Sequence, residues 1–282
     1  MPPSKPPPRP QLTHFLCIPL ATPSGRPQLA DSLATFHADM STISVSMTSG
    51  GGGGPGSASN SNSTTRRGRL PPAALRPVGT LHLTLGVLSL ADGDRLEQAL
   101  QRLQSLTREN GGGVEKNNLA GTPISMALRG LHAMQPPARA TVLYASPVDE
   151  STGQLAVAGG PLLALCERVR AVFADLLVPD ERPLLLHATM VNTIYAQESH
   201  GGGRGRENRN GRQGSHSGGR GTRAKLTFDS RDILERYDDF VWMKRMQVQS
   251  IALCRMGAHT TTVDNAGNTV DAAYQVEAEI NV

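Results

Sequence analysis

Cysteine is scarce in this chain of 282 residues, which has only Cys17, Cys166 and Cys254, none of them in a C-x-x-C pair. Widely spaced in apolar segments, they exclude a disulfide framework and a zinc site and read as reduced core residues of a cytosolic or nuclear protein. Aromatic residues are as thin, at 4%, while glycine reaches 30 residues, much of it in short runs with little to pack. The folded part should therefore be near roughly two hundred residues, enough to bury a real core. No run approaches the roughly 18 apolar residues of a membrane span, and the opening MPPSKPPPRP lacks the pattern of a signal peptide. A soluble, nuclear or cytoplasmic protein is expected. No G-x-S-x-G elbow occurs, which argues against a Ser-His-Asp hydrolase.

Charge is present but confined. Between His200 and Lys225, seven cations (Arg204, Arg206, Arg209, Arg212, Arg220, Arg223 and Lys225) stand against Glu207 alone, a net +6. The whole chain carries +4, which leaves −2 for the rest, so the folded body is close to neutral. This glycine- and arginine-rich stretch has two readings: a disordered surface insertion, or a contact with nucleic-acid phosphates that releases counterions.

A proline-rich tail over residues 1–11 should be extended, followed by one domain over 12–282 with low-complexity insertions at about 46–69, 109–119 and 198–224. LTHFLCIPL (Leu12 to Leu20) reads as a buried strand. Pro27 opens a helix with Leu29, Leu33, Phe36 and Met40 on one face. Asp92 or Asp94 can cap a second, with Leu96, Leu100, Leu103 and Leu106 at helical spacing. Ile124 to Met134 and Ala140 to Ser146 predict two strands joined through Gln135, Pro136 and Pro137, with His132 and Tyr144 in the core or at its rim. Pro161 begins the best helix, striped by Leu162, Leu165, Cys166, Val169, Val172, Phe173 and Leu176. A short helix is expected over 229–240, and paired strands over 246–256 and 272–280.

Two stretches carry the chemistry. In TLHLTLGVLSL (Thr80 to Leu90), Leu81, Leu83 and Leu85 alternate with His82 and Thr84. In LLLHATM (Leu184 to Met190), Leu186, Ala188 and Met190 alternate with His187 and Thr189. Side chains alternate across a strand, so each stretch can bury its apolar row while holding an imidazole and a hydroxyl side by side on the other face. With eight histidines, about one His-x-Ser/Thr is expected by chance at typical composition. A third instance, His259 with Thr261, has no alternating apolar residues around it and reads as a loop decoy. Strand histidines with satisfied hydrogen bonds would fit the pattern equally well. A metal site fits less well, because a catalytic zinc usually takes three protein ligands and no Asp, Glu or Cys stands at ligand spacing.

The segments THFLCIPL, LHLTLGVLSL, LLLHATMVNT, FDSRDILERYDDF and SIALCRMGA, in this order, resemble the two-histidine phosphoesterase superfamily. The likeness is greatest to the branch shared by A-kinase anchoring protein seven and subunit one of the activating signal cointegrator complex, and it runs from about Thr13 to the C-terminus. It implies an α+β fold of two lobes related by approximate two-fold symmetry, each an antiparallel sheet with outer helices, with the motifs facing across a cleft. The family pattern falls on His82 with Thr84 and His187 with Thr189. It implies a phosphodiesterase of RNA-derived substrates working without metal or cofactor, flanked by Asn192, Tyr195 and Arg182 as substrate-orienting residues. The alternative is a non-catalytic RNA-binding or coactivator-complex subunit that uses the same cleft as a nucleotide sensor. Only a dozen mostly proline-rich residues precede the first strand, so the cointegrator subunit's upstream KH domain is expected to be absent. No kinase-anchoring helix is seen, no membrane partner is expected, and the protein should be a monomer.

Overall fold

The structure, a computed structural model, describes residues 10–49, 64–106, 124–149, 160–196 and 225–282. The chain begins with β1 (His14–Pro19), α1 (Gly25–Thr42), β2 (Val45–Ser49) and β3 (Thr64–Gly68), then β4 (His82–Leu88) and α2 (Gly93–Ser105). Next come β5 (Ser125–Ala133), β6 (Val142–Val148), α3 (Pro161–Val172), β7 (Ala188–Asn192), β8 (Leu226–Phe228) and α4 (Arg231–Arg236). The last strands are β9 (Val241–Gln247), β10 (Ser250–Arg255), β11 (His259–Val263), β12 (Thr269–Ala273) and β13 (Val276–Asn281). Two four-stranded antiparallel sheets dominate, with orders β13-β10-β1-β4 and β7-β6-β5-β9. The expected α+β class is therefore the observed one, and each motif lies at the edge of its own sheet.

Burial explains why the faces are fixed. Leu81, Leu83 and Leu85 are buried while His82 and Thr84 stay half-exposed. Leu186, Ala188 and Met190 are buried while His187 and Thr189 stay half-exposed. A one-residue slip would put each apolar row in water, so the hydrophobic effect pins the register and the outward histidines with it. The buried rows join one contiguous core with Leu16, Ile18, Leu33, Phe36, Leu128, Leu143, Trp242 and Leu253.

The helices are exchanged between the sheets. The helix α1 follows β1 but packs on β9 of the other sheet. There Ser32 donates to the Trp242 carbonyl at 2.8 Å, and Gln28 exchanges hydrogen bonds with the Lys244 backbone at 3.0 and 3.1 Å. The helix α3 follows β6 of the second sheet but packs on β4 of the first, where Arg170 donates to the Leu85 carbonyl. Asp92 caps α2, accepting the Asp94 amide at 3.2 Å, and α2 packs on β13. No described helix is long and apolar enough to cross a membrane.

Several expectations are corrected. The insertion expected from residue 46 to 69 begins and ends in strands. Met47 pairs with Arg66 and Ser49 with Thr64, with Val45 and Met47 buried, so only 50–63 lies outside the described residues. The expected strand from Leu184 enters its ladder only at Ala188, because its partner strand meets it first at Ala145, and it continues to Asn192. The short helix is confined to Arg231–Arg236. Residues 246–256 are two strands in different sheets: β9 ends at Gln247, and β10 pairs with β13, whereas β12 pairs with β11. His259 and Thr261 lie on exposed strand β11, not in a loop. The segments 1–9, 107–123, 150–159 and 197–224, which include Arg204, Arg206, Arg209, Arg212, Arg220 and Arg223, lie outside the described residues.

Leu83 is fully buried at the centre of β4. Truncating it in Leu83→Ala should lower the unfolding free energy by about 2–5 kcal/mol, the usual range for a core leucine. Urea denaturation measures this, and a loss below about 1 kcal/mol would contradict the placement of β4 in the core.

Candidate active site at the junction of the two sheets

Two edge strands bring the motifs together. β4 and β7 are in contact, and His82 and His187 are near enough for charge on His187 to depress the His82 pKa. The segment just before β4 fastens the junction: Leu75 forms a bridge to Val191, and the Arg76 amide donates to the Met190 carbonyl at 2.9 Å. Five residues later the same segment has become part of the first sheet. A turn at Val78–Thr80 separates the two, and the Asp271 carboxylate holds it by accepting the Gly79 amide at 2.9 Å. A Cβ on Gly79 would come within 2.5 Å of the Ala272 carbonyl, so the hairpin β11–β12 can approach only because residue 79 is glycine.

The two histidines are held alike. His82 Nδ1 lies 2.8 Å from the Thr80 carbonyl, and His187 Nδ1 lies 2.8 Å from the Leu185 carbonyl. A carbonyl can only accept, so Nδ1 carries the hydrogen in both rings. In the neutral form each Nε2 then presents a lone pair. No hydrogen bond within the described residues occupies the hydroxyl of Thr84 or Thr189. Each motif therefore offers one Nε2 and one threonine hydroxyl uncommitted among the described residues, on two stretches whose strands are in contact.

Their surroundings differ. The His82 ring packs 4.7 Å from Phe15 and edge-on to Tyr274 at 5.3 Å. Burial is the largest influence and, helped by positive charge on Arg76 and His187 and opposed by the Thr80 bond, pulls the His82 pKa down to about 4. His187 packs edge-on to Tyr144 at 5.3 Å, and Tyr144 in turn lies 5.5 Å from His132. His132 and Tyr144, expected in the core or at its rim, thus share the His187 side of the junction. On the His82 side, Cys17 stands opposite Thr84 in the β1–β4 ladder, 3.9 Å from Cys254 in Sγ–Sγ distance, and both are buried free thiols.

The flanking residues have separate fates. The ring of Tyr195 lies under the Arg76 guanidinium at 3.9 Å. Asn192 accepts the Ile194 amide at 3.1 Å, which fixes the turn after β7. Arg182 is paired with Asp180 at 2.7 Å, with its side chain 83% exposed. Arg76 and Tyr274 escaped sequence reading altogether. Arg76 is buried, donates to the Tyr274 hydroxyl at 3.3 Å, and has no carboxylate partner among the described residues. An isolated arginine in a proline-bounded segment carries no periodic signal, and Tyr274 sits at the end of an exposed hairpin. Among the described residues no three His, Cys, Asp or Glu side chains are grouped to share a metal ion.

Edge strands that present His-x-Thr twice, in one tautomer, at the contact of two antiparallel sheets define a two-histidine phosphoesterase type of domain. The family described as AKAP7 2'5' RNA ligase-like domain matches residues 12–281, and the chain belongs to it. Activating signal cointegrator 1 complex subunit 1 of Mus musculus is 27% identical over 197 residues, covering 69% of this chain and 49% of that protein. The chain thus spans about half the length of that relative. An uncharacterized protein of Schizosaccharomyces pombe is 22% identical over 180 residues, covering 63% of this chain and 68% of its own. A solved structure of E. coli LigT complexed with 3'-AMP is 12% identical, with a TM-score of 0.45 over 96% of this chain and 99% of that one.

A histidine whose pKa is lowered in the folded state binds fewer protons there than in the unfolded chain. Stability is then lost as pH falls from the ordinary value of 6.5 toward about 4. His82→Gln should remove part of this acid-side loss, on the order of 2–3 kcal/mol at most. Between pH 7 and pH 4 the melting temperature of wild type should fall further than that of the variant. Parallel curves would show that His82 does not titrate in this window.

Proposed function

We propose that this domain is a phosphodiesterase acting on RNA-derived substrates: a 2′,5′-linked oligonucleotide, a 2′,3′-cyclic phosphate or an RNA 3′ end. The observation that carries the reading is the matched pair of histidines, each with Nδ1–H tied to the carbonyl two residues back and Nε2 left for chemistry. Hydrolysis forms a bond from water oxygen to phosphorus and breaks the bond from phosphorus to the leaving ribose oxygen. One proton must leave the water and one must reach the leaving oxygen. His82, neutral at physiological pH with its pKa near 4, accepts the first at Nε2. His187, across the junction, is then the partner left to deliver the second from its own Nε2. Each transfer contributes about 10²–10⁴-fold. The hydroxyls of Thr84 and Thr189 donate to the non-bridging oxygens as charge builds there. The roles exchange in the reverse direction, and the next turnover needs one proton moved back between the rings.

The mouse relative's name as a complex subunit supports a second reading, in which this domain serves in a coactivator assembly in the nucleus and the junction senses a nucleotide. The basic stretch between Arg204 and Arg223 supports RNA contact under either reading.

His82→Ala and His187→Ala should each reduce cleavage by at least about 10²-fold with far-ultraviolet dichroism and melting unchanged. The assay is a panel of 2′,5′- and 3′,5′-linked oligonucleotides and cyclic nucleotides, run with EDTA, in which wild-type turnover should persist. Undiminished cleavage in the double variant would sink the assignment; nucleotide binding without turnover in wild type would favour the sensor. Deleting residues 201–220 should weaken RNA binding and flatten its dependence on salt, with a slope change of about 0.7 for each cation that had been neutralising a phosphate. An unchanged slope would make that stretch a linker.

A further inference from the structure

Arg76 poses a problem of charge. Its side chain is buried, yet no carboxylate among the described residues balances it. A buried cation is costly unless an anion or well-placed acceptors compensate it. What the protein supplies is partial: the Tyr274 hydroxyl accepts from Nη2 at 3.3 Å, and the Tyr195 ring lies against the guanidinium at 3.9 Å. The Tyr274 hydroxyl also lies within electrostatic reach of that of Tyr195. A guanidinium has five N–H donors, so most are left without a protein acceptor here. They are not sealed away, because the only solvent-shielded, unpartnered side-chain nitrogens among the described residues belong to His14 and His37. The remaining donors therefore keep access to solvent, and Arg76 is near enough to His82 for its charge to be felt there.

We propose that Arg76, oriented by Tyr195 and Tyr274, is the cation that binds the substrate phosphate. This rests on the phosphodiesterase reading of the site. The planar fork of arginine matches two oxygens of a phosphate group, and the low polarity of the surroundings strengthens each charge-assisted bond. Three separate stretches build the corner: Arg76 from the segment before β4, Tyr195 from the turn after β7, and Tyr274 between β12 and β13. The two tyrosines hold the guanidinium in place before a ligand arrives, so little ordering remains to be done on binding. A bound phosphate would supply the missing negative charge and at the same time offset the part of the His82 depression that comes from Arg76. Anion binding and the protonation of the proposed base are then linked.

The test uses the whole chain with inorganic phosphate and a nucleoside 3′-monophosphate as probes. Arg76→Gln should bind both roughly ten- to a hundredfold more weakly, and Arg76→Lys should recover part of that loss. With the cyclic substrate, KM should rise in Arg76→Gln in step with the lost phosphate affinity. Unchanged phosphate affinity in a folded Arg76→Gln protein would overturn the proposal. Should that variant fail to fold, the wild-type protein answers the question through its labelled arginine side-chain NMR signals. Phosphate should shift the Arg76 Nε–H resonance and raise the titration midpoint of the His82 ring. A shift confined to the histidine signals would overturn the role of Arg76 while leaving the two-histidine assignment standing. Phosphate binding that depends on Arg76, in a protein whose histidines prove dispensable for turnover, would instead remove the catalytic reading and keep the anion site.

Discussion

The backbone of Leu75 and Arg76 is bound to one sheet while the chain only a few residues on is woven into the other. This short tether, with the Arg76 amide on the Met190 carbonyl and Leu75 bridged to Val191, is what turns two separate edge strands into one chemical site. An edge strand normally presents unpaired backbone groups that invite other chains. Here the exposed edge of β7 is partly satisfied by the segment that leads into β4, so closing the edge and building the site are the same event. Exchange of α1 and α3 between the sheets reinforces it, since neither sheet carries its own full cover. The two lobes thus share one core and have no reason to fold independently.

Within that frame, near-identical local geometry meets unlike surroundings. Both imidazoles make the same bond to the carbonyl two residues back, and both have a threonine two residues on. Their difference lies in what surrounds them: Phe15, Tyr274 and the charge of Arg76 around His82, and Tyr144 with His132 beside His187. Environments that push equivalent groups apart are how a site assigns acid and base. The difference between the two rings therefore comes from residues outside the motifs more than from the motifs themselves.

Much of this was legible in the sequence where physics acts locally. Alternation in TLHLTLGVLSL and LLLHATM exposed the period-two burial of Leu81, Leu83, Leu85, Leu186, Ala188 and Met190, and the helical stripes at Leu29 and Leu162 were equally plain. The hairpin of β2 and β3 was hidden, because five-residue strands flanking a glycine- and serine-rich stretch are swamped by its composition. The run from Met246 to Met256 read as one strand because its apolar content continues through Val248, whereas the chain crosses there from one sheet to the other. Arg76 and Tyr274 lie almost two hundred positions apart, and a contact of that kind is decided by topology, which no local window contains.

The small sheet β3-β2-β8 has so far served only as a correction to the expected insertion. Ser49 pairs with both Thr64 and Leu226, so β2 is flanked by β3 on one side and β8 on the other. Thr193, just after the strand bearing the second motif, donates to the Leu226 carbonyl at 2.6 Å and ties that strand's end to β8. This sheet is separate from both large sheets. A change in this small sheet can therefore be felt at the second motif through the Thr193 bond, without touching the ladder that holds the motif itself.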